Sequence, residues 1–117
     1  MSLNIQIKEV NSHLLVKAAG HYTLPDLHGL FQRAKAESEH RSNIGVILDV
    51  SEVAGSIPLL DMLVLGEYCS RSWKQAFKTA VVSSAGGLNQ FFEDVASHRG
   101  AQIAVVPNQN AAWEWLR

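Results

Sequence analysis

Ile44-Gly45-Val46-Ile47-Leu48-Asp49-Val50 is short, almost wholly apolar, rich in β-branched residues and ends in a carboxylate. A strand without in/out alternation is covered on both faces, as in a sheet packed between helices. A buried helix segment has the same signature, but here the flanks leave no room for one. His40-Arg41-Ser42-Asn43 precedes the run and Ser51-Glu52-Val53-Ala54-Gly55-Ser56 follows it. We read Ile44–Val50 as the central strand of an α/β sheet, with Asp49 where the chain leaves the core.

Upstream, Leu3, Ile5 and Ile7 alternate with Asn4, Gln6 and Lys8, and Leu14, Val16 and Ala18 resume the alternation after a turn at residues 9–12. Two half-buried strands joined this tightly pair as an antiparallel hairpin. Thr23-Leu24-Pro25-Asp26 is a helix start: a capping hydroxyl, a proline tolerated in the first turn and a carboxylate at the positive end. Leu24, Leu27, Leu30, Phe31 and Ala34 share one face of a helix that ends near His40.

Downstream, Ser56 as cap and Pro58 just inside open a helix from Ile57 to about Trp73. Ile57, Leu60, Val64 and Tyr68 form its core stripe, while Leu59, Met62, Leu63 and Leu65 widen the apolar arc past the usual half. So small a domain has few ways to bury a helix all round, so the excess marks a surface flank that meets a partner or a ligand. Phe77–Ser83 reads as a strand. Leu88, Phe91, Phe92 and Val95 mark a third helix, with Gly100 suited to the residue after its end. Residues 102–106 form a last strand stopped by Pro107, and Asn108 caps a terminal helix carrying Ala112, Trp113, Trp115 and Leu116.

The order β-β-α-β-α-β-α-β-α implies an α/β fold with a mixed, mostly parallel five-stranded sheet and right-handed crossovers. The 117 residues make one domain, 1–117, able to bury a core without disulfide or metal. A formal net charge of −1 gives nucleic acid or an anionic membrane nothing to attract, and no apolar run is long enough to span a bilayer. The N-terminus lacks a basic region followed by an apolar one, so a cytoplasmic location is expected.

Asp49 and Ser51 sit where ligands bind in open α/β sheets, beyond the carboxyl ends of the strands, together with Ser56, Ser84, Gly86 and Gly87. The two glycines before a helix can present amides to an anion, against the plainer reading of a strand-to-helix turn. Asp49 can likewise anchor a polar ligand or simply tie down the following loop. No catalytic set, cofactor motif or metal-ligand spacing is present: the five histidines share no register, and the single Cys69 on an apolar helix is a small hydrophobe rather than a nucleophile.

Val16-Lys17-Ala18-Ala19-Gly20 before a helix, Val46-Ile47-Leu48-Asp49-Val50-Ser51-Glu52-Val53, Leu65-Gly66-Glu67-Tyr68, Thr79-Ala80-Val81-Val82 and Ala111-Ala112-Trp113-Glu114-Trp115-Leu116 together resemble the STAS domain of anti-sigma-factor antagonists. The chain looks most similar to the SpoIIAA-like branch, which is grouped with STAS and lipid-binding CRAL-TRIO domains. The resemblance implies the SpoIIAA-like (STAS) fold over nearly the whole chain. In antagonist-type members an Asp-Ser pair after the central strand carries a phosphorylated serine. Counting on from Asp49 places Ile57 and Pro58 there, and proline accepts no phosphate. Two functions are therefore expected in turn. One is a non-catalytic interaction or regulatory module, self-associating as a homodimer or binding a protein partner through Leu59, Met62, Leu63 and Tyr68. The other is a binder of a small amphipathic, lipid-like or anionic ligand at the strand ends, with the 57–73 helix and the C-terminal tryptophans lining an apolar cleft.

Overall fold

The computed structural model describes residues 3–73 and 78–117. Five strands, β1 (Leu3–Val10), β2 (His13–His21), β3 (Gly45–Ala54), β4 (Lys78–Val82) and β5 (Ile103–Val106), form one sheet in the order β1-β2-β3-β4-β5. β1 is antiparallel to β2 and the remaining pairs are parallel. The helices are α1 (Leu24–Arg41), α2 (Leu59–Ser72), α3 (Gln90–Ser97) and α4 (Gln109–Leu116).

Neighbouring strands are consecutive in the chain, so successive right-handed crossovers carry α1, α2 and α3 to the same face. The packing agrees. Leu14, Val16, Val46, Leu48, Val50, Val81 and Ile103 meet Leu27, Leu30, Phe31, Met62, Leu65 and Phe92 in one cluster. The alternate strand residues Ile47, Ala80 and Val82 meet Ala112, Trp113, Trp115 and Leu116 of α4 in a second. Both faces of the middle of β3 are thus covered, as its unbroken apolar run requires, but very unequally. Trp73 closes the larger core, edge-on to Phe31, its indole N–H donating to Thr79 Oγ1 at 2.6 Å.

The first helix is capped as expected, Thr23 Oγ1 accepting the Asp26 amide at 3.2 Å. The central strand differs at both ends. It begins at Gly45, leaving Ile44 63% exposed in the connection. It also continues four residues past Val50, because the register steps from Lys17↔Asp49 to Ala19↔Glu52 and β2 runs on beside it. One extra β3 residue in that interval is a bulge.

α2 starts at Leu59, with Pro58 at the cap position and no side-chain cap, so Ser56 does not cap it. Proline restricts the residue before it to extended backbone. Ile57 therefore stays outside the helix, buried, its amide donating to the Gly86 carbonyl at 3.1 Å. α3 begins at Gln90, where the Asn89 side chain accepts the Phe91 amide at 3.0 Å. Leu88 is buried in the preceding loop rather than in the helix. Phe77, expected to open β4, lies outside the described residues.

The two sheet edges are finished differently. On the outer side of β5, the Val105 amide donates to Glu93 Oε1 of α3 at 2.7 Å, and Pro107 follows at once. β1, eight residues long, forms the other edge.

Candidate functional site

The expected α2 stripe is rotated. Met62, Leu65, Gly66 and Cys69 face the interior, whereas Leu60 and Val64, read as core, are 69% and 48% exposed. Two physical causes set this phase. The helix begins two residues late, and its small residues seek the closest neighbour: a Cβ on Gly66 would stand 2.7 Å from Val95 Cγ1 of α3. Burial of Cys69 raises its thiol pKa and leaves it inert. Of the expected contact residues, Leu59 and Leu63 are exposed at 60% and 39%. Met62 is buried and cannot touch a partner. Tyr68 is half-buried, edge-on to His28 of α1 with ring centroids 4.4 Å apart.

Leu59, Leu60, Leu63 and Val64 together make an unbroken apolar flank over the first turns of α2. Asp61, on the adjoining face, is turned away to accept the Tyr22 hydroxyl. Burial and that carboxylate together raise the Tyr22 pKa, so the phenol stays protonated. Phe91 of α3 is also exposed, at 39%. Spacing alone missed Leu60 and Val64. Gly66, Cys69 and Ser70, small residues grouped on one side, were the available sign of where the close contact lies.

The strand-end residues do gather, but largely around one another. Asp49 is buried, with Oδ1 accepting the Ser51 amide (3.0 Å) and hydroxyl (2.6 Å) and Oδ2 accepting Gln109 Nε2 (2.8 Å). Burial pushes the Asp49 pKa up, yet these bonds, with Lys17 nearby, outweigh it and hold the carboxyl below the usual range. The Ser84 hydroxyl donates to the Ser51 carbonyl at 3.1 Å. The Gly87 amide donates to the Ser84 carbonyl at 3.0 Å, and no space remains there for a side chain, since a Cβ would sit 2.5 Å from Ser83 Oγ. Gly86 adopts φ 86° and lies beside Ser56, which is exposed. Gly86 and Gly87 precede the Asn89 cap and so lie outside the first turn of α3.

The tryptophans and α2 lie on opposite faces of the sheet, so the expected cleft between them does not form either. Trp113 and Trp115 instead close the smaller core, with Lys78 Nζ 5.4 Å from the Trp115 ring centroid. A concavity of about 310 Å3 opens elsewhere, lined by Gln6, Ile7, Lys8, Leu15, Lys17 and Gln109. None of the strand-end candidates lines it. Among the described residues no cluster of three or more His, Cys, Asp or Glu can hold a metal ion, and no helix is long and apolar enough to cross a membrane.

No protein-family model matches the sequence, and no curated protein matches it. Among solved structures the chain is similar to an anti-sigma factor antagonist from Mycobacterium paratuberculosis, with TM-score 0.63 and 16% identity over 99% of this chain and 95% of that one. It is also similar to an uncharacterized DUF3478-family protein with a SpoIIAA-like fold from Shewanella loihica PV-4, with TM-score 0.57 and 22% identity over 99% and 94% of the two chains. Together with the strand order and the unequal helical layers, these likenesses give the chain the SpoIIAA-like, STAS-type fold.

Proposed function

We propose that the chain is a single non-catalytic interaction module that self-associates, copy to copy, through the exposed flank of α2. The observation that carries this reading is the contiguous exposure of Leu59, Leu60, Leu63 and Val64, at 60, 69, 39 and 48%. Solvent-facing helix positions are ordinarily polar, and a grouped apolar patch on a surface is a contact site by default. The flank itself carries no charge to select an oppositely charged partner, and an uncharged apolar strip is complementary to itself across a two-fold axis.

The proposal dispenses with a phospho-switch. Pro58, at the position that corresponds by count to the acceptor of antagonist-type domains, has no hydroxyl. The nearby Ser51 hydroxyl is bound to Asp49. Sedimentation velocity across a concentration series tests the reading: a reversible monomer–dimer equilibrium supports it, and a strict monomer at the highest attainable concentration removes it.

A further inference from the structure

We propose that the concavity on the sheet face away from α1–α3 is a binding site for a small organic monoanion, a carboxylate with a short apolar tail. It is independent of the α2 flank, which lies on the other side of the sheet. Its floor and walls follow from register: Gln6 stands opposite Lys17 and Lys8 opposite Leu15, so the two lysines are diagonal neighbours on one face of the β1–β2 ribbon. Diagonal side chains of this kind are within joint reach of one small group. Gln109, held by its bond to Asp49, forms the remaining wall, and the volume of about 310 Å3 is at the lower end of the range for ligand pockets.

Charge and polarity then narrow the occupant. Lys8 is the cation of this hollow left to a ligand, because Lys17 already has a carboxylate of the protein as its counter-ion. Among the described residues no carboxylate pairs with Lys8, while Lys17 is joined to Glu52 at 3.0 Å, which raises its pKa and keeps it charged. No acidic side chain lines the hollow itself. Asp49 and Glu52 are bound to the lining residues Gln109 and Lys17, and their charges disfavour a second negative charge on the ligand. Half-buried Leu15 would stay wet beneath a bare inorganic ion and is covered by an alkyl tail. So small and open a site gives a Kd on the order of 1 mM.

The test is a titration of the 15N-labelled full chain followed by amide chemical shifts, at constant ionic strength. The probes are sodium hexanoate, hexylammonium chloride and sodium phosphate. The expected result is saturable movement at Gln6, Lys8, Leu15, Lys17 and Gln109 with hexanoate, weaker movement with phosphate, none with hexylammonium, and about tenfold weaker hexanoate binding in Lys8→Gln/Lys17→Gln. No saturable movement at these residues, equal response to hexylammonium, phosphate binding as tightly as hexanoate, or an unchanged affinity in the double variant would each overturn the proposal. The spectrum of the variant reports directly whether it is folded.

Discussion

Replacing Leu60 with glutamate separates folding from association. Leu60 is 69% exposed in the single chain, so a charged side chain there stays in water and monomer stability should move by no more than about 0.5 kcal/mol. In a two-fold pair both copies place the residue in the contact. The α2 flank offers roughly 400 Å2 of apolar surface per copy, and mutual burial is worth about 20 kcal/mol before costs. Lost translational and rotational freedom takes about 4–15 kcal/mol of that, and side-chain ordering takes more, so the wild-type Kd should be on the order of 10 μM. An unpaired carboxylate in a dry contact costs about 3 kcal/mol, hence about 6 kcal/mol for the pair, a loss of at least about 10^4-fold. Sedimentation velocity from about 1 μM to about 1 mM, with urea denaturation of both proteins at the lowest concentration, reads both quantities. A Leu60→Glu dimer as tight as the wild type would refute the contact. A monomer destabilised by more than about 1 kcal/mol would refute the exposure of Leu60 itself.

Three further substitutions probe the scaffold beneath that surface. Gly66→Ala puts a methyl 2.7 Å from Val95 Cγ1 and 2.8 Å from Val95 Cβ. A β-branched neighbour cannot swing aside, so the cost should be about 1–3 kcal/mol by urea denaturation, with part of it returned in Gly66→Ala/Val95→Ala; a neutral single variant would mean that the two helices separate freely. Asp49→Asn sets an amide donor against the Ser51 and Gln109 donors and removes the titration. Because the folded pKa of Asp49 is lowered, its carboxylate stabilises the protein above the usual value near 4 and loses that effect as pH falls through the folded value. The stability gap between wild type and variant should therefore be full at pH 7 and shrink toward pH 2; a gap that does not change with pH contradicts the role. Thr23→Ala removes the α1 cap and should cost about 0.5–2 kcal/mol, with no effect on self-association.

The architecture was legible because its signals are local and redundant. An unbroken run such as Val46-Ile47-Leu48 tolerates only a doubly covered strand, and Thr23 and Asn108 declare helix starts by a chemistry that tertiary contacts rarely overrule. What sequence alone read wrongly depended mostly on neighbours distant in the chain. The phase of α2 is set by Val95 pressing on Gly66 and the length of β3 by β2 continuing alongside, whereas the late start of α2 has a local cause, Pro58 holding Ile57 extended. Asp49 lies near the end of the buried half of β3, in mid-strand rather than at a turn, and its second partner, Gln109, is 60 residues away. Lys8 and Lys17 looked like ordinary outward residues of a hairpin until register put them on one diagonal beside α4.

The Glu93 carboxylate on the Val105 amide bears on how the molecule can grow. Polymers built by strand addition need two open ends per unit, one to give and one to receive. Here one border of the sheet is stoppered by a side chain and a proline, so strand addition through the opposite border ends by itself after a single partner.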